Sequence, residues 1–213
     1  MTRILGADIA TRTGFAVNEG DSFRVHTFKP RAKRPDDLSQ GQISVEHEAA
    51  LAEEFRDHVR GILVAEEIEY AAYEEPRTRD YDRVKTIIDT DTAWAGKSVR
   101  HEKERGSSNA AMLRAVVLCA TFCGVCQRLD IPTISVSGDD WRKAFLGFSR
   151  APRGTTDGRK FLKKATVKQC RLIGVDVPND DAGDGVGVCW WLRGYLGMTR
   201  PGELALAAER RVA

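Results

Sequence analysis

Short apolar runs over residues 3 to 9 and 13 to 19, and an alternating stretch over 22 to 29, predict three adjacent antiparallel strands. A tight turn through Ala10 to Arg12 joins the first two. After a polar, proline-bearing loop from Pro30 to Gln42 the period changes to that of a helix, from about Ser44 to Glu67, with Val45, Ala49, Ala52, Phe55, Val59 and Ile62 or Leu63 on one side. Tyr70-Ala71-Ala72-Tyr73-Glu74-Glu75-Pro76 reads as a short strand closed by a proline. Residues 76 to 107 are highly charged and weakly periodic, and are read as a mobile segment or a partly helical excursion. Then follow a helix from about Ser108 to Leu129, a strand from Thr133 to Val136 and a short helix near Asp139 to Phe145. A basic loop with Gly and Pro leads to helices from about Asp157 to Leu172 and from about Asp180 to Leu196. The Ala-, Arg- and Glu-rich stretch from Thr199 is expected to fray.

Against this pattern a few carboxylates stand out. Asp8 lies in a hairpin that is otherwise β-branched, aromatic and small, where burying a charge costs several kcal/mol unless a cation meets it. A metal ion is the expected visitor. Glu74 is delivered at the end of its strand, and Glu75 is turned to the opposite face by strand alternation. Asn179 is placed to cap the last helix, with Asp181 and Asp184 on one face of its first turn. Asp180 and Asp184, four residues apart, share a face as well, so spacing alone leaves Asp180 and Asp181 as alternatives.

Composition adds bounds. The 213 residues suit one domain or a domain with an appendage, read as a domain over 1–198 and a tail over 199–213. No run of 18 apolar residues occurs and the N-terminus lacks the regions of a signal peptide, so no membrane span and a cytoplasmic protein are expected. Five cysteines fit reduced thiols, and Cys119, Cys123 and Cys126 recur at helical spacing without the fourth ligand that zinc needs.

The formal net charge of +2 hides a segregation. Glu46 to Glu75 holds ten acids and two Arg, net −8, whereas Arg142 to Arg171 holds ten Lys or Arg and one Asp, net +9. The basic block, interleaved with Gly, Pro, Ser and Thr, suits a phosphate backbone. Its candidate DNA contacts are Arg142, Lys143, Arg150, Arg153, Arg159, Lys160, Lys163, Lys164 and Lys168. Trp94 and Trp141, set among polar and basic residues, are candidates for stacking on an unpaired base, and Trp190-Trp191 for packing the last helix on the sheet. Gly96-Lys97-Ser98 lacks the upstream Gly of a phosphate-binding loop, and no Gly-x-Ser-x-Gly elbow is present.

Strands and helices in the order βββαβαβα, with acids ending strands one and four and opening the last helix, match a ribonuclease H-like arrangement. This is an α/β fold with a five-stranded mixed sheet, its first three strands antiparallel, flanked by helices. Here the chain resembles the RuvC-type Holliday junction resolvases. The resemblance rests on Gly6-Ala7-Asp8 followed by Thr11-Arg12-Thr13-Gly14-Phe15-Ala16-Val17, on Ala72-Tyr73-Glu74-Glu75-Pro76, on the stretch from Trp141-Arg142-Lys143 to Lys163-Lys164-Ala165, and on Asp181-Ala182-Gly183-Asp184.

The resemblance implies a homodimeric, divalent-metal-dependent endonuclease acting on branched DNA, a four-way junction above all. Its catalytic, metal-holding acids match Asp8, Glu74, Asp181 and Asp184, and Lys164 falls where the family has a lysine next to the DNA. Phosphodiester hydrolysis by such acids calls for two Mg²⁺ ions, with Mn²⁺ as a substitute. The alternative reading is a catalytically inactive DNA-binding or scaffold protein of the same fold.

Overall fold

The computed structural model describes residues 2–31, 44–76, 83–89, 98–104 and 109–198. Residues 32–43, the connection holding Trp94 and the tail from Thr199 lie outside them. Three strands, β1 (Arg3–Asp8), β2 (Thr13–Glu19) and β3 (Ser22–Phe28), form an antiparallel meander. Helix α1 (Val45–Ala65) then leads to β4 (Tyr70–Glu74), which pairs parallel with β1, and α2 (Asn109–Arg128) leads to β7 (Thr133–Val136), parallel with β4. The sheet order is β3-β2-β1-β4-β7. Three helices follow: α3 (Gly138–Leu146), α4 (Gly158–Leu172) and α5 (Asp180–Tyr195).

The charged stretch after Pro76 differs from its sequence reading. It contains β5 (Arg83–Asp89) and β6 (Ser98–Glu104), paired antiparallel from Arg83 opposite Glu104 to Asp89 opposite Ser98. Ion-rich composition masks the β-branched residues Val84, Thr86, Ile87, Ile88 and Val99, which favour extended backbone whatever the charge of their neighbours.

Strand alternation splits the core into two layers. Leu5, Ala7, Phe15, Val17 and Ala71 pack under α1 and α2 with Phe55, Val59, Leu118 and Phe122. Ile4, Ala16 and Ala72 pack under α3, α4 and α5 with Trp141, Phe145, Val186, Val188 and Leu192. Residues two apart share a face. Asp8 therefore continues the Ile4 face and Glu74 the Ala72 face, and both point to the α5 side. Trp190 stacks on Phe23 of β3, joining α5 to the sheet.

By length and composition alone, the Ala110–Arg128 segment of α2 is apolar enough to cross a membrane, although Arg114 and Gln127 interrupt its apolar run. Its Leu118, Cys119, Phe122, Val125 and Cys126 lie in the core, while Leu113, Val116 and Val117 are exposed. Burial pushes the Cys119 and Cys126 thiols up to about 12, so they are inert packing groups.

Helix α5 is buried from Ala182 to Cys189, and it approaches the sheet backbone more closely than side chains allow. A Cβ on Gly6 would stand 2.1 Å from the Cys189 backbone nitrogen, and one on Gly14 would stand 1.8 Å from the Asp181 carbonyl oxygen. Because the obstacle is backbone, neither contact is relieved by a rotamer change. Gly6→Ala is expected to cost about 3 kcal/mol or more and to lower the melting temperature by roughly 10 °C. Gly61→Ala, on α1 where a Cβ meets nothing within 4 Å, is expected to stabilise by about 0.5–1 kcal/mol. Thermal denaturation of the two variants checks both signs.

Candidate metal centre

Asp8 is the last residue of β1 and Glu74 the last of β4. The parallel register pairs Ala7 with Tyr73, so the two acids end neighbouring strands one step further on. The turn beyond Asp8 is tied by Thr13, whose hydroxyl donates to the Ala10 carbonyl at 2.7 Å. The third element is α5. The Asn179 side chain accepts from the Ala182 N–H at 2.8 Å, and this cap starts the helix against the β1–β2 hairpin. Asp181 and Asp184 thereby face the strand ends, Asp184 being buried. Glu75 is exposed, and its charge acts on Tyr73 on the other face.

The electrostatics follow from this convergence. Burial raises the Asp8 carboxyl well above the carboxylate range, and the charges of Glu74, Asp184 and Asp181 raise it further. Burial pushes Asp184 up to about 7, with Arg142 and Lys163 opposing and Glu74 and Asp180 adding to it. No salt bridge or side-chain hydrogen bond reaches either carboxylate among the described residues.

The outer acids are tied to protein donors. The Trp141 indole Nε1–H donates to Glu74 Oε2 at 2.7 Å, and the Arg142 guanidinium lies 3.5 Å from the same carboxylate. Lys163 Nζ bridges Asp180 Oδ2 at 2.8 Å and Asp181 Oδ1 at 3.0 Å. Burial pulls the Lys163 ammonium down, but these two hydrogen bonds outweigh it and leave its pKa raised. The same contact lowers Asp180, whose charge acts on Asp184, while the charge of Asp181 acts on Asp8.

No group of three His, Cys, Asp or Glu side chains among the described residues stands close enough to hold one ion. The donor set nonetheless fits a hard divalent cation in kind: it is all oxygen, and two of its carboxylates, Asp8 and Asp184, make no salt bridge among the described residues.

Beside these acids runs a groove of about 780 Å³ along α4, lined by Asp157, Arg159, Lys160, Lys163, Lys164, Val167, Lys168, Arg171 and Asp180. It meets the acids at Lys163 and Asp180. Several sequence candidates thus sit in one place: Arg159, Lys160, Lys163, Lys164 and Lys168. Others do not. Lys143 is exposed on α3, and Arg150 and Arg153 lie in the exposed loop before α4, Arg150 being 3.9 Å from Asp139.

Two side chains depart from the sequence reading. Arg142 turns inward to Glu74, and Trp141 is wholly buried and unable to stack on a base. Trp141 and Arg142 sit three and four residues after Gly138, so both share the face of α3 that covers Glu74. The sequence signal was the amphipathic spacing of Trp141 with Phe145 in a short helix, which marks a core tryptophan. Lys164 is exposed in the groove, and Lys163 is the lysine that reaches the acids, because one step on a helix turns a side chain by about 100°.

A five-stranded mixed sheet in this order, flanked by helices, is the ribonuclease H-like α/β fold. Among solved structures it is similar to Thermus thermophilus RuvC, with a TM-score of 0.57 at 12% identity over 92% of this chain and 96% of that one. It is equally similar to T. thermophilus RuvC in complex with a Holliday junction substrate, with a TM-score of 0.58 at 12% identity over 93% of this chain and 96% of that one. At that identity the likeness is one of fold. No protein-family model matches the sequence, and no curated protein matches it at a significant level.

Proposed function

We propose that the protein is a cytoplasmic, metal-dependent endonuclease that hydrolyses phosphodiesters in branched DNA, with the four-way junction as preferred substrate. The observation that carries this reading is the pair of carboxylates Asp8 and Asp184, half-buried and buried, with no salt bridge to either among the described residues, beside a basic groove. Likeness of fold to a RuvC bound to a Holliday junction supports the choice of substrate.

In this reading Asp8, Glu74, Asp181 and Asp184 would hold two Mg²⁺ ions, or Mn²⁺ in their place, which would supply a water acidified toward neutral pH and charge for the leaving oxygen. The chain itself does the positioning. Lysines and arginines of α4 grip the phosphate backbone along the groove, and Lys163 holds the Asp181 carboxylate at 3.0 Å where the groove meets the acids. Resolution of a junction needs two related nicks, so the active form is a two-fold dimer, and the exposed Leu113, Val116 and Val117 on α2 offer an apolar surface for it.

The test is a panel of labelled four-way junction, flap, single-stranded DNA and RNA–DNA hybrid incubated with Mg²⁺ or Mn²⁺. Preferential junction cleavage supports the proposal; metal-independent binding without cleavage of any substrate contradicts it. The two neighbouring lysines are expected to separate in the same assay. Lys163→Ala should lower the cleavage rate about 10- to 100-fold, as loss of an outer-shell partner does. Lys164→Ala should instead weaken junction binding and reduce its salt dependence by about one phosphate contact, with little change in rate at saturation.

A further inference from the structure

Trp141 is wholly enclosed, the largest of the fully buried side chains among the described residues. Its ring fills the space above Gly187, where an added Cβ would stand 2.4 Å from the ring carbon Cζ3, so α5 and α3 together fix the plane of the indole. An indole carries one polar group, an N–H that can only donate. That group donates to Glu74 Oε2 at 2.7 Å.

The rest of the cradle comes from the same face of α3. Arg142 lies with its guanidinium 4.5 Å from the centre of the Trp141 ring and 3.5 Å from Glu74. A Cβ on Gly138 would stand 2.5 Å from Glu74 Oε1, so the backbone there leaves room for that oxygen and nothing larger. Glu74 is only 12% exposed, and its side chain is thus held from three sides by one helical turn. A charged acceptor on a rigid, water-excluded donor makes a stronger bond than a neutral pair.

We propose that Trp141 is a positioning residue for Glu74: its enclosed indole N–H fixes one carboxylate oxygen and so sets the orientation in which Glu74 meets a divalent cation. This rests on the metal-site reading above and extends it to a residue that touches neither cation nor DNA. Trp141→Phe keeps a buried aromatic ring and removes the N–H. A purely structural role for the ring leaves cation affinity unchanged in that variant.

The experiment measures Mn²⁺ binding by electron paramagnetic resonance for the wild type and Trp141→Phe, alongside their melting temperatures and junction cleavage. In the wild type, the indole ¹H–¹⁵N signal of Trp141 is followed by NMR as Mg²⁺ is added. The expected result is Mn²⁺ affinity at least about tenfold lower in Trp141→Phe with its fold retained, and displacement of the indole signal by Mg²⁺. Mn²⁺ affinity within twofold of wild type, or an indole signal unmoved at saturating Mg²⁺, overturns the proposal. If Trp141→Phe does not fold, the wild-type indole signal decides. Normal metal binding without cleavage of any DNA overturns the nuclease reading and leaves the role of Trp141 standing, whereas a wild type that binds no Mn²⁺ overturns both.

Discussion

Replacing Asp8 by Asn is expected to lower the rate of junction cleavage about 10³-fold or more while junction affinity stays within a few-fold of wild type. A metal centre provides several kcal/mol of charge stabilisation to a phosphoryl transition state, and each 1.4 kcal/mol is tenfold in rate. Asp8 is the carboxylate on which the charges of Glu74, Asp181 and Asp184 all act, so removing its charge takes away the centre of the site. The basic groove, on α4, does not involve it. Single-turnover cleavage of labelled junction in Mg²⁺, paired with gel-shift binding in EDTA, separates the two effects. Cleavage at the wild-type rate would remove Asp8 from the mechanism.

The second large effect is on stability and is read without substrate. Asp184 holds its proton to about pH 7 in the folded chain, mainly because it is buried, whereas an unfolded Asp releases it near 4. Between those values the folded state binds more protons than the unfolded one, so stability contributed by this group falls as pH rises from about 4 to 7. Asp8 is raised too and pushes in the same direction. Calorimetry in EDTA is expected to show Asp184→Asn gaining about 2–4 kcal/mol over wild type as pH rises from 4 to 7. Saturating Mg²⁺ should close much of that gap by stabilising the wild type alone, because a cation binds the deprotonated carboxylates. A gap that is constant across this range, or insensitive to Mg²⁺, would contradict the account.

Much of the architecture is legible in the chain because local and global signals agree. Short apolar and alternating runs in residues 3 to 29 and the proline after Glu75 mark strands whose ends carry Asp8 and Glu74, and, β5 and β6 apart, the observed strands and helices fall within a residue or two of the expected ones. The element order βββαβαβα, with three adjacent antiparallel strands, fits the five-stranded sheet observed. What sequence could not convey is rotation about short helices and the identity of tertiary partners. Lys163 and Lys164 are chemically identical, and only the docking of α4 on α5 decides which reaches Asp181. Trp141 sits in a basic stretch and so suggests DNA contact, but its neighbours in sequence are not its neighbours in space: its pocket is made by Gly187, 46 residues away. The hairpin of β5 and β6 was hidden because charge dilutes the alternation on which strand recognition depends.

The central claim is that acids from two strand ends and one helix gather divalent cations beside the α4 groove, and anomalous diffraction from crystals soaked in Mn²⁺ tests it most directly. The account expects a manganese peak bounded by Asp8, Glu74 and Asp184, lost in Asp8→Asn crystals. Peaks confined to other acidic surfaces, with none at the ends of β1 and β4, would contradict it.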